Sequence, residues 1–221
     1  MLTYAKLAIA TLVAAAALGA LVGSASANRL SLTSRTVRVV WSSLEFAGPT
    51  TIRCRVTMEG TFHESTVSKV SGSLIGYITA ASIARPCTGG TAWAYNGTER
   101  NEALGNTVLA SSLPWIISYE AFIGELPAFI AEKILIIMLR WLYRASFFGI
   151  PILCAYRSGG ANGNITGTNN VGAGGVVTSM GLSGRVRSET GGCPEGSFTS
   201  PAGDGVVTQL GNSNRISVTL I

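Results

Sequence analysis

Four cysteines constrain the possible folds of this sequence more than any other feature. They are Cys54, Cys87, Cys154 and Cys193, and the shortest interval between two of them is 33 residues. Common zinc sites need Cys or His pairs only a few residues apart, and His63 is the one histidine of the chain. An even number of widely spaced cysteines predicts two disulfides instead, provided that the chain is exported to an oxidising compartment.

Four cysteines allow three disulfide connectivities. We favour pairing within each half of the chain, Cys54 with Cys87 and Cys154 with Cys193, because the two closed loops then have similar lengths. In the chain-entropy description, each loop of this size stabilises the fold by roughly 3 to 4 kcal/mol by restricting the unfolded state.

The first residues have the pattern of a secretory signal peptide. Lys6 precedes an apolar run from Leu7 to Val22, and Ala25-Ser26-Ala27 supplies the small residues that signal peptidase requires. The apolar run is short for a membrane-spanning helix, and no charged stop-transfer cluster follows it. We therefore expect cleavage after Ala27, a signal peptide over residues 1–27, and a single secreted or cell-surface domain over residues 28–221.

The charge of the mature chain argues against nucleic acid as a partner. Only Lys6 of the 16 Lys and Arg lies in the signal peptide, which leaves 15 cations against 11 acids, a net charge of +4. Lys69 and Lys133 are the only lysines after residue 27, so the sequence has no polybasic tail. Because no nucleic-acid-binding motif accompanies the charge, we expect no nucleic-acid partner.

Alternation of apolar and polar residues predicts β-strands. Ile52, Cys54 and Val56 fall on one face of a strand, and Arg53 and Arg55 fall on the other, which is typical of a strand with one buried and one solvated face. The same alternation recurs at Thr36 to Val40, around Arg185-Val186-Arg187, and from Ile216 to Leu220. We therefore expect an all-β domain, an antiparallel two-layer β-sandwich or a barrel-like variant, stabilised by two disulfides.

Two segments have ambiguous patterns. In Leu126 to Tyr156, the cations Lys133, Arg140 and Arg144 are spaced as on one face of an amphipathic helix, but the concentration of isoleucine and the later Gly and Pro favour buried strands. We favour strands there, and neither uncharged run is long enough to span a membrane as a helix. The glycine-rich segment Ser158 to Gly184 predicts a flexible loop or a pair of weak strands.

Catalytic groups are sparse. A serine hydrolase needs a histidine base and an acid, and the chain offers only His63, which we expect in an exposed turn, and a single aspartate, Asp204. Two glutamates brought together in space would suit glycoside cleavage, but no sequence feature singles out a pair. The candidates are Glu45, Glu59, Glu64, Glu99, Glu102, Glu120 and Glu125. No cofactor or metal motif is present in the sequence, and we expect neither.

Aromatic residues give the only positive indication of a binding site. Trp41, Trp93 and Tyr95 are candidates for a platform on which a carbohydrate or peptide stacks, because flat rings pack against apolar ligand faces. Trp115 and Tyr119 belong to the same aromatic set, but we favour core packing for Trp115.

The motifs around the cysteines carry a family resemblance. They are Ile52-Arg53-Cys54, Pro86-Cys87, Leu113-Pro114-Trp115, Gly124-Glu125-Leu126-Pro127, Leu153-Cys154 and Gly192-Cys193-Pro194. With the signal-peptide pattern, this layout resembles a group of secreted, two-disulfide, all-β proteins of high-GC Gram-positive bacteria that has no known function. The resemblance implies strands over Leu126 to Tyr156, and it implies no activity, ligand or catalytic residue.

Three functional hypotheses follow. The leading one is a non-catalytic extracellular or cell-envelope protein that binds a surface polymer or a protein partner. The second is a secreted hydrolase that uses a glutamate pair. The third is an envelope-inserted oligomer in which the apolar block around Ile134 faces lipid.

Overall fold

The structure is a computed structural model that describes residues 29–94, 113–123, 131–137, 140–147, 150–158, 165–189, 191–201 and 204–221. At residues 85, 93, 94, 122, 123, 131–137, 140–147 and 151–153 it describes the backbone alone. The expected signal peptide over residues 1–27 lies outside the described residues.

The described chain consists of β-strands joined mostly by short turns, which confirms the predicted all-β class. The strands are β1 Arg29–Leu32, β2 Thr36–Ala47, β3 Thr51–Phe62, β4 Thr66–Ser68, β5 Leu74–Thr88, β6 Thr91–Ala94, β7 Trp115–Ile123, β8 Ala131–Ile137, β9 Arg140–Phe147, β10 Ile150–Arg157, β11 Ile165–Val171, β12 Val177–Ser188, β13 Gly196–Thr199, β14 Val206–Gln209 and β15 Val218–Leu220. A short 3-10 turn at Ala173–Gly175 connects β11 to β12.

The strands form two antiparallel sheets. The smaller sheet has the order β15-β1-β4, and the larger one runs β11-β8-β7-β5-β3-β2-β13-β12-β10-β9-β6, with β14 beside β2. Because β11 also pairs with β12, the larger sheet curls until its pairing closes on itself. The strands β10, β9 and β6 then extend from the C-terminal end of β12.

The apolar core lies inside the curled sheet and under the smaller one. Alternate residues of β2 and β3 point inward, as the sequence pattern predicts, and Ile52, Cys54 and Val56 are 0%, 3% and 0% exposed. Leu30 and Val218 of the smaller sheet belong to the same buried cluster. The two sheets therefore share one core, which is the layered arrangement that the sequence predicts.

Both disulfides have the predicted pairing. Cys54–Cys87 links β3 to the end of β5, and Cys154–Cys193 links β10 to the loop between β12 and β13. The described residues contain no free cysteine.

The two ambiguous segments also form strands. The segment from 126 to 156 contains β8, β9 and most of β10, so the helical alternative is wrong. The glycine-rich segment contains β11 and the 12-residue strand β12 rather than a flexible loop. Its strands pair along their whole length, because neighbouring strands on both sides supply hydrogen bonds that the local sequence does not anticipate.

Candidate functional site

Trp41, one of the three residues predicted to form an aromatic platform, is buried in the core. Trp41 is 1% exposed and its indole Nε1 donates a 2.9 Å hydrogen bond to the backbone oxygen of Met180, so Trp41 is a core residue and its faces are unavailable to a ligand. Trp115 is buried, as expected, and so is Tyr119. The side chain of Trp93 and all of Tyr95 lie outside the description, so for them the platform stays a prediction.

His63 and Asp204 lie in different parts of the fold. His63 is exposed between β3 and β4, and its ring centroid is 5.0 Å from that of Tyr77. Asp204 accepts hydrogen bonds from Ser42 Oγ and from the backbone N–H of Ser43, at the bulge in the middle of β2, whereas His63 lies beside the start of that strand. Because six residues of an extended strand cover about 20 Å, these two groups do not form a catalytic dyad.

Two of the candidate glutamates are engaged in ion pairs across β2 and β3. Glu59 lies 2.7 Å from an Nη atom of Arg38, and Glu45 lies 2.8 Å from an Nη atom of Arg53. Six residues of β3 separate Arg53 from Glu59, so the two carboxylates are about 20 Å apart, well beyond the roughly 5 to 9.5 Å of glycoside hydrolases. Glu45 and Glu59 are therefore not a hydrolytic pair.

Two further candidate glutamates lie within the described chain. Glu64 is exposed in the turn after β3, and Glu120 is the extra residue of a bulge in β7, between Tyr119 and Ala121. Glu99, Glu102 and Glu125 lie outside the described residues, where the hydrolase hypothesis stays a prediction.

The described ranges contain no group of three or more His, Cys, Asp or Glu side chains that could hold a metal ion. In the same part of the chain, no helix has the length and apolarity needed to cross a bilayer. The hypothesis of a lipid-facing block around Ile134 concerns side chains that are not described, and it stays a prediction.

The outer faces of the sheet carry more guanidinium than carboxylate groups. Besides the two pairs on β2 and β3, Arg157 of β10 lies 3.6 Å from Glu189. Four exposed arginines have no hydrogen-bonded or ionic partner for their side chains among the described residues: Arg29 on β1, Arg55 on β3, and Arg185 and Arg187 on β12. Because Glu45, Glu59 and Glu189 are already engaged in ion pairs, these faces carry an excess of positive charge at the remaining arginines.

Two of the arginines face each other across neighbouring strands. Arg157 on β10 is in register with Arg187 on β12. Residues directly opposite in an antiparallel pair share a face, and like charges in such positions destabilise the sheet. A bound anion would remove this repulsion, so the geometry is suited to recognition of oxyanions, which the planar guanidinium fork binds through two hydrogen bonds.

The arginines of β10 and β12 are a site that the sequence pattern did not reveal. The alternation around Arg185-Val186-Arg187 correctly predicts outward-pointing arginines on a solvated strand face. Their alignment with Arg157 depends on how β10 and β12 pair, and residues far apart in sequence set that register.

Comparison with known protein families, with curated proteins and with solved structures gives no match to this chain.

Proposed function

We propose that this chain is an exported, non-catalytic protein that binds an anionic polymer of the cell surface through arginines on its outer sheet faces. The observation that carries the proposal is the guanidinium surplus at Arg55, Arg185 and Arg187, which project from rigid strands without a described partner. Arginine forms paired, charge-assisted hydrogen bonds with phosphate, sulfate and carboxylate groups, so such a surface favours repeated oxyanions.

Two further features support an extracellular role. The chain begins with a signal-peptide pattern, and its two disulfides are typical of proteins that work in an oxidising compartment. The face built by β2 and β3 has its carboxylates in ion pairs, which suits a surface for binding better than an acid-base catalyst.

The test is a direct binding measurement with oxidised mature protein, residues 28–221. Suitable polymers are dextran sulfate, dextran phosphate and polygalacturonate, with uncharged dextran as the matched control for the sulfated and phosphorylated forms. We expect binding to at least one anionic polymer, no binding to dextran, and affinity that falls as salt rises. Equal binding to dextran and dextran sulfate, or no binding to any of the four polymers, would contradict the proposal.

A further inference from the structure

Three arginines occupy one register row across three adjacent strands. Arg140 on β9 is the register partner of Arg157 on β10, and Arg157 is the register partner of Arg187 on β12. We name these three residues the arginine row. Strands in a sheet are about 4.8 Å apart, so the three positions extend over about 10 Å, perpendicular to the strands.

The described side chains of the row are accessible. The side chain of Arg157 is 44% exposed, and Arg187 is exposed as well. Arg185 lies two positions before Arg187 on the same face of β12, about 7 Å away along the strand, and it is also exposed. Arg157, Arg185 and Arg187 together present a positively charged surface. The carboxylate of Glu189, which lies beside Arg157, neutralises only part of this charge.

The row crosses the junction between β10 and β12, which we call the seam and which few backbone pairs hold together. Among the described residues, only two register pairs join β10 to β12, Tyr156 with Ser188 and Arg157 with Arg187, whereas the pairing of β10 with β9 runs along the whole strand. Just beyond the seam, the backbone N–H of Glu189 donates a 2.7 Å hydrogen bond to the oxygen of Ala155. The Cys154–Cys193 disulfide fixes β10 to the loop that follows β12.

This arrangement keeps the two positive charges of Arg157 and Arg187 close together, although only a short ladder of backbone pairs joins their strands. The disulfide restrains the two sides of the seam, so Arg157 and Arg187 keep their alignment despite their mutual repulsion. Strands already held in register lose less backbone freedom when a ligand binds across them, which favours affinity. A single oxyanion is much smaller than the row, whereas a chain of repeated anionic groups can contact several of its positions at once.

We infer that the part of the arginine row on β10 and β12 is the binding site for an anionic polysaccharide, which lies across these two strands with its oxyanions against the guanidinium groups of Arg157 and Arg187. This inference rests on the proposed function and specifies its site. Phosphate, sulfate and carboxylate share the recognition chemistry, and the polymers used in the test separate them.

The test compares two double variants that remove the same charge. Arg157→Gln with Arg187→Gln alters the row, and Arg29→Gln with Arg35→Gln removes two exposed arginines elsewhere, on β1 and in the bend before β2. For the polymer that binds the unaltered protein best, we expect the row variant to lose at least about tenfold in affinity and the control variant to lose less than about threefold. The dependence of affinity on salt should also become weaker in the row variant alone.

Each outcome separates this inference from the proposed function. Failure of the unaltered protein to bind any anionic polymer overturns both. Binding that falls equally in the two double variants, or falls only in the control, leaves the proposed function and overturns the row as its site. Displacement of the polymer by single-stranded DNA at equal charge concentration would overturn the assignment to polysaccharide. Circular dichroism and urea unfolding of each variant establish that it is folded.

Discussion

The indole Nε1 of Trp41 donates a 2.9 Å hydrogen bond to the backbone oxygen of Met180, a residue 139 positions later in the chain. Trp41 lies on β2 and Met180 on β12, so the bond joins strands from the two halves of the sequence. Next to this contact, Gly205 forms an antiparallel β-bridge with Met180. The carboxylate of Asp204 accepts a hydrogen bond from the backbone N–H of Ser43, in the bulge that follows Trp41. This junction joins β2 to β12 beside β14.

Replacing Trp41 with phenylalanine should destabilise the protein by about 2 to 3 kcal/mol, because the Met180 oxygen loses its indole donor and the smaller ring leaves a cavity. Urea unfolding should show a lower midpoint with an unchanged slope. The control is Val206→Thr, at a side chain that is 45% exposed on nearby β14, and we expect it to change stability by less than about 0.5 kcal/mol. A midpoint for Trp41→Phe equal to that of the control would contradict the assigned hydrogen bond.

Gly205 should tolerate no side chain. A Cβ at this position would lie 2.6 Å from Trp41 Nε1 and still closer to the backbone oxygen of Met180, which cannot move without opening β12. We expect Gly205→Ala to cost at least about 2 kcal/mol through overpacking. Gly191→Ala is the matched control, since a Cβ there meets nothing within 4 Å and its change in stability should be small. Thermal unfolding of the two variants side by side measures the difference.

Replacing Asp204 with alanine should lower the stability of the protein more than replacing Ser42, which donates a hydrogen bond to it. Its carboxylate accepts from both Ser42 Oγ and the Ser43 backbone N–H, so Asp204→Ala removes two hydrogen bonds and Ser42→Ala removes only one. With hydrogen bonds to a charged group contributing about 1.5 to 3 kcal/mol, we expect the Asp204 variant to lose at least about 1 kcal/mol more than the Ser42 variant. Equal midpoints in urea for the two variants would show that the bulge does not depend on the carboxylate.

Local patterns predict much of the fold. The two-residue period at Ile52, Cys54 and Val56 correctly identifies the inner face of β3, and the C-terminal alternation correctly places Val218 in a strand. The same period, continued from Val37 and Val39, also indicates that Trp41 points inward. The hypothesis of an aromatic platform overlooked that signal.

Other features depend on interactions that a local pattern does not contain. Glycines weaken a strand when it is considered alone, yet Gly167 of β11 is paired with both β8 and β12, which compensates for its low intrinsic preference. The arginine row requires the registers of β9, β10 and β12, which long-range packing and the Cys154–Cys193 bond determine. The sequence pattern indicates which arginines point outward, but it does not indicate which of them are register partners on neighbouring strands.

The two disulfides should differ in what they hold together. Replacing either pair of cysteines with alanine should cost roughly 3 to 4 kcal/mol in the chain-entropy description, since the bonded residues are 33 and 39 positions apart. Cys54–Cys87 joins β3 and β5, which also share a long ladder of backbone pairs, whereas Cys154–Cys193 supports a seam of two register pairs. Loss of the second bond should therefore open the seam locally as well as lower global stability.

Amide hydrogen exchange can separate local from global opening. The Glu189 N–H bonds to Ala155 across the seam, and the Val177 N–H bonds to Ile216 far from it, so their opening free energies form an internal comparison. In Cys154→Ala with Cys193→Ala, protection of Glu189 should fall more than protection of Val177. In Cys54→Ala with Cys87→Ala, the two amides should lose similar amounts, because only global unfolding has become easier. Equal losses at both amides in both variants would mean that the short ladder and the Arg157–Glu189 ion pair hold the seam without the disulfide.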